Sequence, residues 1–305
     1  MRYVVTGAAG FIGSHLVEAL LAAGDDVVAV DSFTDYYDPE LKEENAAGFE
    51  VSRLDLAAED LALDGFDGVF HLAGQPGVRS FGEVFGEYVR RNLLATQRVF
   101  ESAARSGVRV VFASSSSVYG DAESYPTSED VRPEPISPYG ITKLGCEHLA
   151  HAYAGAFGLD AVVLRYFTVY GPRQRPDMAF ARVVDALARG ASFELYGDGL
   201  QSRSFTYVSD VVGATISAMT RAGAGSLYNV GGGTEASMRD AIATLETVSG
   251  RTLDVAVRPA AAGDVRRTAA DTRRIERDLG WRATTELGDG LRAQWEWASV
   301  RVAAP

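Results

Sequence analysis

Short apolar runs rich in β-branched residues recur along the chain at residues 2–6, 27–31, 50–54, 69–73, 108–114 and 161–166. They are too short for helices and too continuously apolar for strands with one wet face, so they read as strands of a parallel sheet covered on both sides. Between them, apolar residues return at helical spacing over 11–23, 88–106 and 138–157. This alternation predicts an α/β fold with a doubly wound parallel sheet. Past residue 166, glycine- and proline-rich turns at 170–176, 196–199 and 231–233 separate shorter helical stretches at 178–189 and 238–248. The predicted division is a domain of residues 1–165 and a smaller C-terminal lobe of residues 166–305, with 205–230 returning to the sheet.

Composition narrows the partners. A chain of 305 residues that is 47% hydrophobic has enough apolar material for a large core. A formal net charge of -12 disfavours nucleic acid and anionic membranes, so an anionic ligand must be gripped by local arginines and backbone amides. The single cysteine, Cys146, excludes an internal disulfide, and four scattered histidines lack metal-ligand spacing, so no metal site is expected. No run approaches the roughly 18 apolar residues of a spanning helix, and no basic and apolar leader opens the chain. The expectation is a soluble, cytoplasmic protein that handles small molecules and associates with copies of itself.

The first strand runs into G7-A-A-G-F-I-G13, glycines three apart at a strand-to-helix turn. Glycine there permits a tight turn, close approach of backbone amides to a pyrophosphate and close helix packing. Asp31 closes the second strand about 20 residues later, where an acid accepts hydrogen bonds from ribose hydroxyls and repels a 2′-phosphate. The pattern predicts a Rossmann domain that binds NAD rather than NADP. Asp55, after the third strand, is expected beside the adenine or as the cap of a helix.

A second cluster follows in I136-S-P-Y-G-I-T-K143. Ser137 reads as an N-cap and Pro138 as the first helical residue, which puts Tyr139 and Lys143 on one helix face. An ammonium beside a phenol favours the ionised phenol, a base that can work near neutrality.

With T6-G-A-A-G-F-I-G, Y139-G-I-T-K143 and the serines of A113-S-S-S-S-V-Y-G120 together, the chain resembles the extended short-chain dehydrogenase/reductases, the nucleotide-sugar epimerases and dehydratases. The resemblance covers nearly the whole chain. It implies Tyr139 as catalytic base, Lys143 as its partner and Ser115 as the hydroxyl bonded to the reacting sugar oxygen. It also implies a cofactor site lined by Gly7, Gly10, Phe11, Ile12, Gly13, Asp31, Ser32, Asp55 and Leu56. Leu72, Ala73, Gly74, Asn92, Ser114, Tyr139, Lys143 and Tyr166 complete that site. A homodimer, packed through helices 88–106 and 138–157, is implied as well.

In this family the two residues before Val-Tyr-Gly select the reaction: dehydratases carry Asp-Glu there and uronate decarboxylases Ser-Glu. Ser116 and Ser117 stand there instead, which leaves oxidation at C4 and return of the hydride. The stretches D31-S-F-T-D-Y-Y-D-P-E-L-K42, Q75-P-G-V-R79 and G171-P-R-Q-R-P-D-M-A179 resemble UDP-glucuronic acid 4-epimerases. A uronate needs donors for its carboxylate, and the hydroxyls of Ser116, Ser117 and Thr168 offer them without a competing negative charge. Arg175 is a further anion contact. The expected sugar-nucleotide site adds Gln75, Gly77, Val78, Arg79, Ser115, Met178, Phe193, Tyr196, Arg203, Asp264 and Arg266, with residues 193–196 pairing with the base and Arg203 holding the diphosphate. Ala262 replaces an arginine common in sugar epimerases, which leaves the base identity open. An epimerase of neutral UDP- or dTDP-hexoses, a uronate decarboxylase and a non-catalytic NAD(H)-binding protein are the alternative readings.

Overall fold

A computed structural model describes residues 1–78, 81–259 and 266–303. Arg79 and Asp264, two expected substrate contacts, lie outside the described residues. In chain order the elements begin β1 (Arg2–Thr6), α1 (Phe11–Ala22), β2 (Asp26–Asp31), α2 (Pro39–Asn45), β3 (Val51–Arg53) and β4 (Gly68–His71). Then come α3 (Phe85–Tyr88), a π-helical stretch (Val89–Leu94), α4 (Ala95–Ser106), β5 (Arg109–Ser115), a short 3-10 turn (Ser116–Tyr119), α5 (Pro138–Phe157) and β6 (Ala161–Tyr166). The later part holds β7 (Thr168–Tyr170), α6 (Ala179–Arg189), β8 (Ser192–Tyr196), β9 (Ser202–Tyr207), α7 (Val208–Arg221) and β10 (Leu227–Val230). It continues with β11 (Thr234–Ser237), α8 (Met238–Ser249), β12 (Asp254–Arg258), β13 (Arg267–Thr268), α9 (Arg273–Leu279) and α10 (Leu287–Ala303).

Seven strands form a parallel sheet in the order β10-β6-β5-β4-β1-β2-β3. Side chains alternate between its two faces, and both are dry. Tyr3, Val5, Val111 and Ala113 join Leu16 and Leu20 of α1 and Val211 of α7 in one core cluster. Val4, Val110 and Phe112 join Val99 and Phe100 of α4 and Ala150 of α5 in another. Period-2 alternation hidden inside continuous apolar runs is thus what the two helical layers read. β8 pairs with β12, while β9 pairs with β11 on one edge and with β7 and β13 on the other. A separate cluster built on Phe180, Phe193, Phe205, Leu245 and Leu291 covers them.

The helix expected over 88–106 differs from the observed one. It starts at Phe85 and widens to π-helical winding over Val89–Leu94 before resuming as α4. The wider turn carries Asn92, whose amide is engaged outside the helix, as described below; π-turns of this kind accompany such local demands. Among the described residues no helix is long and apolar enough to cross a membrane.

Candidate active site

The chain runs from β1 outward through β2 to β3, then crosses back to β4 on the other side of β1. Where strand order reverses, the loops after β1 and β4 splay apart and leave a crevice at the strands' C-terminal ends. A cavity of about 740 Å³ occupies it, bordered by the glycine turn, the 72–78 loop, the serine turn, the start of α5 and β8 of the lobe.

Two glycines are dictated by space. Gly7 has φ +71°, and a Cβ there would sit 2.7 Å from the Ala73 nitrogen. At Gly13 a Cβ would sit 2.1 Å from the Gly7 oxygen. Gly10, at the N-cap of α1, brings no side-chain cap, so the first turn keeps its amides for a ligand. Asp31 is buried at the end of β2; its Oδ2 accepts from Ala9 N at 3.2 Å and its Oδ1 from Phe33 N at 2.8 Å. Beside it, Lys42 Nζ donates to Thr34 O at 2.8 Å and Thr34 Oγ1 at 3.1 Å. Burial holds the Lys42 ammonium below its ordinary pKa, against the pull of Asp31. Asp55 borders the cavity, caps a turn after β3 by accepting from Ala57 N at 3.0 Å, and pairs with Arg90; no helix starts there.

Ser137 Oγ accepts from Gly140 N at 3.1 Å and starts α5 with Pro138 in its first turn. Tyr139 and Lys143 border the cavity one turn apart. Lys143 is buried; its Nζ donates to Ala113 O at 2.8 Å and lies 5.9 Å from the Tyr139 ring centroid. The end of β5 is thereby tied to the start of α5 through that ammonium.

The serines form a self-capping turn. Ser115 Oγ accepts from Ser117 N at 3.1 Å and donates to Ser117 Oγ at 3.1 Å. Ser115, Ser116 and Ser117 all border the cavity. Ser114 borders it too, but its hydroxyl donates inward to Glu147 Oε1 at 2.5 Å. Facing them, Arg175 makes a forked pair with Asp177, Nε to Oδ1 at 3.0 Å and Nη2 to Oδ2 at 3.1 Å, and Tyr36 OH donates to Asp177 Oδ2 at 3.3 Å. Burial and the nearby Asp177 carboxylate push the Tyr36 phenol up to about 12.

All but two of the described site residues expected from sequence border this cavity. Asn92 does not: it is buried one layer behind, its Oδ1 accepting from Gln75 N at 2.7 Å and its Nδ2 donating to Gln75 O at 3.2 Å and Thr142 Oγ1 at 3.0 Å. It holds the loop that borders the cavity instead of bordering it. Arg266 is exposed and does not border the cavity; its carbonyl accepts from Ser202 N at 3.0 Å. Sequence reasoning missed Tyr36, Lys42, Asp177, Arg182 and Gln201, which do border it. Tyr36, Lys42 and Asp177 sit inside stretches already singled out, but only the fold turns them inward.

A model of the NAD dependent epimerase/dehydratase family matches residues 3–231. The UDP-glucuronic acid 4-epimerase from Bacillus cereus, solved in complex with UDP-glucuronic acid and NAD, is 40% identical with a TM-score of 0.95, covering 99% of this chain and 100% of that one. UDP-glucuronate 4-epimerase of Thermodesulfobacterium geofontis is 34% identical over 314 residues, 98% of this chain and 97% of the relative. UDP-glucose 4-epimerase of Mycolicibacterium smegmatis is 37% identical over 301 residues, 95% of this chain and 96% of the relative.

Proposed function

The chain belongs to the NAD-dependent epimerase/dehydratase family, and we propose that it interconverts UDP-glucuronic acid and UDP-galacturonic acid by epimerisation at C4. The observation that carries the substrate assignment is the serine turn: residues 115–117 place hydroxyls and no carboxylate on the wall of the cavity that Tyr139 also borders. Likeness over the full chain to a protein solved with UDP-glucuronic acid supports the same reading.

The residues present fit a dinucleotide. The space that side chains at Gly7 and Gly13 would fill, the uncapped first turn of α1 and the Asp31 carboxylate suit a pyrophosphate and a ribose with free hydroxyls. Bound there, NAD supplies the hydride acceptor and later the hydride donor for sugar C4. Tyr139 takes the proton of the sugar 4-hydroxyl and returns one at the end of the cycle. Lys143, fixed by Ala113 O, keeps a positive charge next to the phenol. The Ser115 hydroxyl turns its proton from Ser117 Oγ to the sugar oxygen, while the Ser117 amide keeps it in place. Arg203 holds the diphosphate as the 4-keto sugar turns over, and Phe193 and Tyr196 border the base. Oxidation at C4 makes a β-keto acid; Ser116, Ser117 and Thr168 hold its carboxylate by hydrogen bonds so that it keeps its carbon dioxide. Arg175 adds charge whose excess Asp177 offsets.

The relative named UDP-glucose 4-epimerase, at 37% identity, favours a second reading in which the sugar is a neutral hexose. Incubation with UDP-glucuronic acid and, in parallel, with UDP-glucose, followed by proton NMR, separates the two. Formation of UDP-galacturonic acid supports the uronate reading, and turnover of UDP-glucose alone overturns it.

We further propose a homodimer working in the cytoplasm. Val89 and Leu94, with Ile141 near the start of α5, are large apolar side chains left exposed, which supports a face for a second copy there. Dependence on NAD and a single buried cysteine suit the reducing interior of a cell.

A further inference from the structure

Behind the serine turn lies a buried ion pair that the chemistry above does not use. Glu147 of α5 and Arg165 of β6 have side-chain exposures of only 7% and 5%. Arg165 grips the carboxylate with two donors, Nε to Oε1 at 3.0 Å and Nη2 to Oε2 at 2.6 Å. Ser114 Oγ adds a third bond to Oε1 at 2.5 Å. On the other side, Arg165 Nη1 donates to Tyr119 OH at 2.8 Å, and that hydroxyl donates to Asn229 Oδ1 at 2.7 Å. The guanidinium also lies over the Tyr119 ring, 4.7 Å from its centroid. Ser114, Arg165 and Asn229 are register partners across β5, β6 and β10, so the network is a row across the sheet. Glu147 stands one turn beyond Lys143 and two beyond Tyr139 on the same stripe of α5.

Stability alone does not account for such a pair. Desolvating two charges offsets most of their attraction, and well-packed apolar residues of similar volume often serve a core as well or better. What the pair contacts is informative. Ser114 and Tyr119 flank the serine turn on either side, and both are bonded to the pair, while Ser115, Ser116 and Ser117 between them face the cavity. A fork of fixed geometry holding both ends of a short turn sets how its hydroxyls are aimed.

We propose that Glu147 and Arg165 are positioning residues for the reaction, fixing the serine turn relative to Tyr139 and Lys143 so that the sugar carboxylate stays in its unreactive orientation. The inference rests on the uronate reading and predicts where errors go when the clamp slackens. An oxidised uronate held loosely breaks its C5–C6 bond: carbon dioxide leaves, the electron pair passes into a C4–C5 enolate, C5 takes a proton from water, and the enzyme is left with reduced cofactor.

Tyr119→Phe tests this by removing one hydroxyl from the clamp while keeping the ring; Arg165→Lys keeps the charge and removes the fork. With UDP-glucuronic acid, epimer formed, carbon dioxide released, retained NAD and Tm are measured together. The expected result for Tyr119→Phe is unchanged NAD retention, epimer formation lowered on the order of 10- to 100-fold and a larger share of oxidised sugar ending as carbon dioxide. A fall in Tm with kcat and the carbon dioxide share both at the wild-type level would overturn the proposal, as would an activity loss matched by equal loss of NAD. Should the wild type leave UDP-glucuronic acid untouched, the substrate reading fails by itself. The pair is then judged on kcat with the sugar that the wild type does epimerise, where an unchanged value in both variants sinks it.

Discussion

A hydroxyl donates one hydrogen bond and accepts two, and at Ser115 the turn itself uses the donor and one of the two acceptor positions. A substrate oxygen that takes the Ser115 proton therefore has to displace Ser117 Oγ, while the bond from the Ser117 amide can stay in place. Tyr139 has no such substitute: Tyr139→Phe should lower kcat by about 10²- to 10⁴-fold with NAD retention unchanged, measured by turnover and by cofactor released on denaturation. Ser117→Glu would set a carboxylate beside the proposed sugar carboxylate. Like charges at that range should cut UDP-glucuronic acid turnover by about 10-fold or more while sparing any activity on UDP-glucose, which a comparison of kcat/KM for the two sugars reads directly. Tyr139, Lys143 and the glycines were legible because each sits at a spacing that local backbone geometry turns into a shared face or a tight turn, whereas Ser115 was singled out by the family resemblance alone. Lys42, Tyr36 and Asp177 were not legible, because what aims them at the cavity is the packing of segments far apart in sequence. Asn92 was legible as a residue of the cofactor region; its grip on the loop beside the cavity was not, since sequence does not say which backbone groups a buried amide meets.

The turn between β1 and α1 shows how little freedom an element junction has. A methyl group at Gly13 would press on the Gly7 oxygen, so α1 has to shift away from the strand it packs on. Gly13→Ala should lose stability by about 1–3 kcal/mol and, more tellingly, come out of purification with less bound NAD than wild type; a variant that keeps both Tm and cofactor would contradict this account of the turn. The strands and the two long helices were legible as elements because their apolar patterns are strong. The π-helical stretch at Val89–Leu94 was not: no local composition marks it, and its reason is the grip of the Asn92 amide on Gln75 and Thr142.

For the molecule as a whole, pH dependence should show one buried histidine. His71 hydrogen-bonds Thr6 through Nδ1 at 2.7 Å and Thr96 through Nε2 at 3.0 Å, and burial, with Lys143 adding repulsion, pushes its pKa down from 6.5 to about 3. Above pH 6.5 neither folded nor unfolded chain protonates it, so its contribution is fully present there. As pH falls from that value toward 3 the unfolded chain binds a proton that the folded one does not, and stability drops by up to about 1.4 kcal/mol per pH unit. Denaturant melts between about pH 6.5 and 4.5 should therefore show a shallower dependence for His71→Gln than for wild type; parallel slopes would mean His71 is not the titrating group.

The sheet described above is finished by a strand that arrives late. β6 is buried along its whole length, and its outer edge is covered by β10, residues Leu227–Val230. During synthesis, everything from β7 to α7 must leave the ribosome before that edge gains its partner. Until then an apolar strand carries a row of unsatisfied amides and carbonyls, a template for pairing with another nascent chain. A fragment ending before residue 208 should consequently precipitate on expression, whereas one ending after α9 should stay in solution, and fractionation of the two would tell.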